Sequence, residues 1–252
     1  MLAYETTGPV DAPVLLLGSS LGTTRTMWAP QTAALRQDFR VVTFDHRGHG
    51  ASPVPPGPYA IEDLGRDVVA LLDHLGAPRV HYAGLSLGGM VGMWLAAFAP
   101  ERIDRLALLC TAAFLPPAAG WHERAATVRA AGMGAIADAV VARWFTPGFH
   151  EDRPDTVAAF TKALVAIDPE GYAGCCEAIA ALDLRPVLPR ITAPTLVIAG
   201  EADPATPPLL ARTIVDGVAD AALTVLPDAA HLASVEQADR VTDLLRRHLT
   251  GG

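Results

Sequence analysis

The sequence predicts an α/β fold, with a mostly parallel central sheet flanked by helices and a helical segment inserted late in the sheet. Three observations carry this. Short apolar runs of strand length alternate with amphipathic helical stretches, the pattern of strands covered on both faces by crossover helices. The alternation stops after Cys110 and resumes at Ile191, with helical patterns in between. The chain has 252 residues, 51% of them hydrophobic, enough for one substantial core rather than a string of small modules.

The elements follow in order. Val14 to Leu17 (VLLL) and Arg40 to Phe44 (RVVTF) read as the first buried strands. Ile61 to Leu75 places Leu64, Val68, Leu71, Leu72 and Leu75 on one helical face. Val80 to Ala83 is a strand leading into a glycine-rich turn, and Met90 to Ala99 is a nearly all-apolar helix. Leu106 to Cys110, Thr195 to Ala199 and Leu223 to Leu226 complete the strands. Ser234 to Leu249 carries Val241, Leu244, Leu245 and Leu249 on a stripe, with Ser234 as its N-cap. Between Leu115 and Val187, turns at Pro116-Pro117, Pro147-Gly148 and Pro169 divide helical patterns, and no strand is read. The expected organisation is a first part of the core over 1–114, a helical cap over 115–187 and the rest of the core over 188–252. Pro53 to Pro58 reads as a rigid loop.

Composition narrows the partners. A net charge of -8 without a Lys/Arg run argues against nucleic acid. An anionic small molecule needs only one or two local cations. The three cysteines, Cys110, Cys175 and Cys176, show no metal-ligand spacing, and their odd number suggests reduced thiols. The start, MLAYETTGPV, lacks the layout of a secretory signal, and the apolar runs are too short to span a membrane. The expectation is a cytoplasmic protein without metal or organic cofactor, its oligomeric state open.

The stretch YAGLSLGGM surrounds Ser86 with Gly84, Gly88 and Gly89. A serine at a sharp strand-to-helix turn takes a strained backbone conformation, and side chains on either side would collide with neighbouring elements. Such a turn presents the hydroxyl above the sheet. It also leaves the N–H of Leu87 unpaired at the helix start, aimed at a developing oxyanion. A tight turn with a capping serine would use the same residues. Serine needs a base, oriented by an acid, and in this architecture the chain order is Ser, then Asp or Glu, then His.

Of eight histidines, His231 follows the last strand and precedes the last helix, where a loop overhangs the strand ends. His46 and His49 lie in the turn FDHRGHGAS and shape a loop. His74, His122, His150 and His248 lie in helical patterns, and His81 in a strand. For the acid, Asp203 in GEADPATPP follows the penultimate strand; Glu201 and Asp228 are its rivals, while Asp45 precedes the serine. A second oxyanion N–H is expected from the loop LLLGSSLGTT, at Ser20 with Leu21 as the alternative, although Gly18-Ser19 replaces the common His-Gly pair.

These residues resemble the α/β-hydrolase superfamily, and within it the 3-oxoadipate enol-lactonases of aromatic catabolism. DHRGHGAS, GLSLGGM and AHL are shared by many esterase-like subfamilies. The narrower likeness lies in GSSLGTTRTMWAPQ, RGHGASPVPPGPY, GMGAIADAVVARWFTPGF, PEGYAGCCEAIAALDLRP and ADPATPP, and it spans nearly the whole chain. The resemblance implies Ser86 as nucleophile, Asp203 as acid and His231 as base. It also implies a small enol-lactone substrate bearing a carboxylate, which calls for a cation in the cap. Arg124 and Arg143 are the candidates, with Trp121 and Trp144 as flat apolar walls; all four are equally ordinary residues of helix surface and packing. Some members carry a fused decarboxylase domain, which this chain is not expected to have. Another esterase, lactonase or carbon–carbon bond hydrolase would keep the triad and differ in the cap; a ligand sensor would keep the pocket and turn over slowly.

Overall fold

The apolar runs form six strands of one seven-stranded sheet in the computed structural model, which describes residues 1–251. The strands are β1 (Tyr4–Thr7), β2 (Val14–Gly18), β3 (Arg40–Phe44), β4 (Val80–Leu85), β5 (Ile103–Leu109), β6 (Thr195–Gly200) and β7 (Ala221–Leu226). Their spatial order is β1-β3-β2-β4-β5-β6-β7, with only β1 antiparallel to its neighbour. β1 was not legible as a strand: Tyr-Glu-Thr-Thr is polar, half-exposed and held at the sheet edge by pairing with β3. β5 starts at Ile103, before the expected Leu106, because Asp104 and Arg105 interrupt its apolar pattern at the sheet's end.

Helices α1 (Ala29–Leu35), α2 (Ile61–His74) and α3 (Leu87–Phe98) precede β5. Between β5 and β6 lie α4 (Ala118–Ala131), α5 (Ala137–Val141), α6 (Pro147–Asp152), α7 (Pro154–Val165) and α8 (Pro169–Ala180). The chain closes with α9 (Pro208–Gly217), α10 (Ala233–Glu236) and α11 (Ala238–Thr250). Pro147 and Pro169, read from the sequence as turns, are the first residues of α6 and α8, where a missing N–H costs nothing. Asp168 caps α8, accepting the N–H groups of Glu170 (2.8 Å) and Gly171 (3.3 Å). Arg129 of α4 pairs with Glu170 and Glu177 of α8, fastening the two longest-packed helices of this inserted layer.

One sequence expectation is overturned. Ser234 is not an N-cap but lies inside α10, and the chain breaks at Gln237 (φ -123°, ψ 54°) before α11 begins. A glutamine there disguises the break, because the apolar stripe of α11 continues the spacing.

The parallel strands place the chain after β4, β6 and β7 at one edge of the sheet, where open α/β sheets gather their ligand-binding loops. Leu15, Leu16, Leu17, Leu106, Leu108 and Ile198 are fully buried beneath that edge. Trp121 and Arg124 of α4, Val140 of α5 and Tyr172 and Ile179 of α8 line a pocket there.

Candidate active site

Ser86 stands between the end of β4 and the start of α3 with φ 57° and ψ -114°, a conformation that costs a non-glycine residue roughly 1–3 kcal/mol. The surroundings hold it there. Its N–H donates to the Leu109 carbonyl (2.9 Å), and the Thr111 hydroxyl donates to its carbonyl (2.7 Å). A Cβ on Gly84 would overlap the backbone of Gly88, and one on Gly88 would overlap the backbone of Gly18. The glycines are therefore the condition for α3 to press against β4 and β2 with a serine at the bend.

His231, which lines one pocket with Ser86, meets Asp203. Asp203, in the loop after β6, accepts the Nδ1–H of His231 on Oδ2 at 2.9 Å. With Nδ1 as donor, Nε2 is left as an acceptor. The Thr206 hydroxyl donates to the same Oδ2 (2.7 Å), and the N–H groups of Ala205 (2.8 Å) and Thr206 (3.0 Å) donate to Oδ1. Burial works to raise the Asp203 pKa, but the His231 partner and the hydrogen bonds from His231 and Thr206 outweigh it and hold the carboxyl below its usual range. The rivals Glu201 and Asp228 are exposed. Asp45 is buried and engaged elsewhere, by the N–H groups of Arg25 and Ala51 and the Arg25 guanidinium.

Ser86 and His231 line one pocket, and among the described residues no other histidine lines it. His46 and His49 grip the loop after β2 instead. His46 Nε2 bonds the Ser19 carbonyl (3.1 Å), and His49 Nε2 accepts the Gly22 N–H (2.9 Å). Burial is the main cause that lowers their pKa values, to about 3 for His46 and about 4 for His49, so both are neutral at pH 7.

That loop carries Ser20 and Leu21, which both line the pocket. The Ser20 N–H is directed at Met27 Sδ (3.3 Å), and the Thr23 hydroxyl donates to the same sulfur (3.1 Å). A thioether is a weak acceptor, so the N–H yields readily to an anion. Leu87 is the first residue of α3, and its N–H has no partner within the helix.

The four cap residues singled out in the sequence, Trp121, Arg124, Arg143 and Trp144, line the same pocket as Ser86. The Arg124 guanidinium lies over the Trp121 ring, 4.6 Å from its centroid, and lines the pocket together with the buried Tyr172. Arg143 donates from Nε to the Ala139 carbonyl (3.3 Å). Burial first, and the Arg124 charge second, push its pKa below the usual arginine value. Among the described residues neither arginine pairs with a carboxylate; Arg129 makes the inserted layer's pairs with Glu170 and Glu177.

Sequence reasoning missed Thr206, Tyr172 and Met27. Thr206 had a readable signal, since an Asp followed three residues later by Thr commonly closes a local turn. Tyr172 and Met27 had none, for their roles arise only from tertiary packing. Among the described residues no cluster of three His, Cys, Asp or Glu side chains could hold a metal, and no helix is long and apolar enough to cross a membrane.

Comparison with known proteins agrees with this architecture. A family model described as the alpha/beta hydrolase fold matches residues 13–238. The chain is 45% identical over 236 residues to 3-oxoadipate enol-lactonase 2 of Acinetobacter baylyi, covering 94% of this chain and 88% of that protein. It is 36% identical over 246 residues to a Variovorax paradoxus protein bearing the name carbamate hydrolase RutD, covering 94% and 91% of the two. The crystal structure of the enol-lactonase from Burkholderia xenovorans LB400 superposes with a TM-score of 0.97 at 45% identity, covering 99% of this chain and 96% of that one. The chain is a hydrolase that resembles the 3-oxoadipate enol-lactonases, and it belongs to the α/β-hydrolase family.

Proposed function

We propose that the chain hydrolyses 3-oxoadipate enol-lactone to 3-oxoadipate through an acyl-enzyme on Ser86, as a step of aromatic catabolism in the cytoplasm. His231 Nε2 takes the proton from the Ser86 hydroxyl, and Asp203 keeps the imidazole in that tautomer and stabilises the imidazolium. The alkoxide adds to the lactone carbonyl. The tetrahedral oxyanion rests on the N–H groups of Leu87 and of Ser20, with Leu21 as the alternative second donor. Collapse breaks the ring C–O bond and expels an enolate, a better leaving group than an alkoxide, so little is asked of the general acid; the enolate takes up the proton from the His231 imidazolium, which returns the base to its neutral form. Water, deprotonated by His231, then adds to the acyl carbonyl and releases the product acid and Ser86.

The observation that carries the reading is the pair Arg124 and Arg143, two guanidinium groups without a carboxylate partner lining the pocket of Ser86 and His231. Holding like charges together in a half-buried site is costly, and a ligand carboxylate relieves that cost. The enol-lactonase names of the relatives point to the same substrate. A second reading, hydrolysis of a carbamate, is favoured by the Variovorax relative. Steady-state turnover of the lactone, generated in situ, is to be compared with a neutral ester and a carbamate. A kcat/KM for the lactone well above both is expected; preference for the carbamate moves the assignment, and an inert lactone overturns it.

A further inference from the structure

The loop that carries His231 is tied to the inserted helices by a side chain that does not line the pocket. Glu236, the last residue of α10, divides its carboxylate between two segments. Oε2 accepts the N–H of Ala230, the residue before His231, at 2.7 Å. Oε1 accepts both the N–H of Thr146 (2.9 Å) and the Thr146 hydroxyl. On the other side of the histidine, the Leu232 N–H donates to the Trp144 carbonyl at 2.8 Å. The residues flanking His231 are thus each bonded, directly or through Glu236, to the strip that bears Arg143 and Trp144, two walls of the pocket. Thr146 is fixed in turn as the N-cap of α6, accepting the Phe149 N–H at 3.3 Å.

All the donors to Glu236 are neutral, and among the described residues no lysine or arginine pairs with it. A carboxylate is the one acidic side chain able to accept on both oxygens at once, and bonds from neutral donors to an ionised acceptor are stronger than neutral pairs. Glutamine presents one oxygen and one NH2 group, so it can satisfy one segment but sets donor against donor at the other. We infer that Glu236 is a positioning residue: it locks the His231 loop to the Arg143–Thr146 strip, so that the base and the pocket wall that receives the substrate hold one geometry. This rests on the Ser86–His231 reading above.

The test uses the full-length protein and p-nitrophenyl acetate, which needs the base but no guanidinium. Glu236→Gln is expected to lower kcat about ten- to a hundredfold while KM for this ester stays within about twofold, because the loss is one bond to a charged acceptor at the base and not a binding contact. Thr146→Val removes the hydroxyl leg to Glu236, and with it the hydroxyl's bond from the Phe149 N–H, but retains the Thr146 N–H bond, so a loss of about three- to tenfold is expected; Thr146→Ser restores the hydroxyl with both bonds, and the rate. That rescue is what a general loss of packing would not give, and it keeps the test decisive where Glu236→Gln folds poorly. Unchanged kcat in Thr146→Val, or no recovery in Thr146→Ser, overturns the inference. His231→Ala is run alongside: if it keeps the parent rate, the triad reading itself has failed, whereas an inactive His231→Ala beside unaffected Thr146 variants overturns the Glu236 role alone.

Discussion

Replacing Arg143 by methionine tests how the pocket selects its substrate. Methionine keeps an unbranched apolar stem against the wall and removes only the guanidinium. In the parent protein that group is half-buried, without a carboxylate partner, and made less basic by burial and by Arg124. A substrate carboxylate there would gain a charge-assisted, two-point contact. Hydrogen bonds to charged groups contribute about 1.5–3 kcal/mol, which corresponds to about a ten- to hundredfold loss in kcat/KM for the lactone acid. Arg124→Met should act in the same direction. It also relieves the repulsion that depresses Arg143, leaving the remaining guanidinium a better partner, so each single loss is cushioned and the double variant should lose more than the product of the two single losses. The assay is steady-state hydrolysis of the lactone and of p-nitrophenyl acetate by each variant. The neutral ester should change little, because neither guanidinium bonds Ser86, His231 or Asp203. Equal losses on both substrates would mean that the arginines support the pocket without reading the charge, and no loss on either would place the carboxylate elsewhere.

Asp203→Asn should leave the fold intact and lower kcat by about 10³- to 10⁴-fold, because an amide no longer selects the Nδ1–H tautomer of His231. Glu201→Gln and Asp228→Asn, both at exposed positions, should stay within severalfold, and a crippled Glu201→Gln would reassign the acid. Stability should fall on mild acidification. His46 and His49, with pKa values of about 3 and about 4 in the fold, stay neutral while an unfolded histidine protonates near 6.5. The unfolded chain therefore binds more protons between about pH 6.5 and 4, and stability present above 6.5 is lost as pH falls through that window. Urea unfolding at pH 7 and pH 5 should differ by about 2–4 kcal/mol. A flat profile would show that the two imidazoles are charged or solvated in the fold.

The strands and the bend at Ser86 were legible because their causes are local. Apolar runs announce strands buried on both faces, and glycine on either side of a serine announces backbones in contact. The neighbourhood of Asp203 and His231 was legible from chain order, since the loops after successive parallel strands emerge at one edge. What the sequence hid depends on partners distant along the chain. β1 is a strand only because β3 pairs with it. Ser234 looks like a cap but lies within α10. The grip of His46 and His49 on Ser19 and Gly22 could be read only as loop shaping, without the loop they hold. Glu236 falls within the amphipathic helical stretch, yet its carboxylate joins the nearby Ala230 to Thr146, ninety residues away from it. Such bonds leave no periodicity and no motif.

The central claim, a covalent Ser86 intermediate, is tested most directly by labelling the protein with a serine-directed fluorophosphonate while lactone turnover is followed in the same sample. Peptide mass spectrometry should place one label on Ser86, and turnover should fall in proportion to the labelled fraction, with Ser86→Ala unlabelled and inactive. A label on any other residue, or lactone turnover that survives complete labelling, would contradict it.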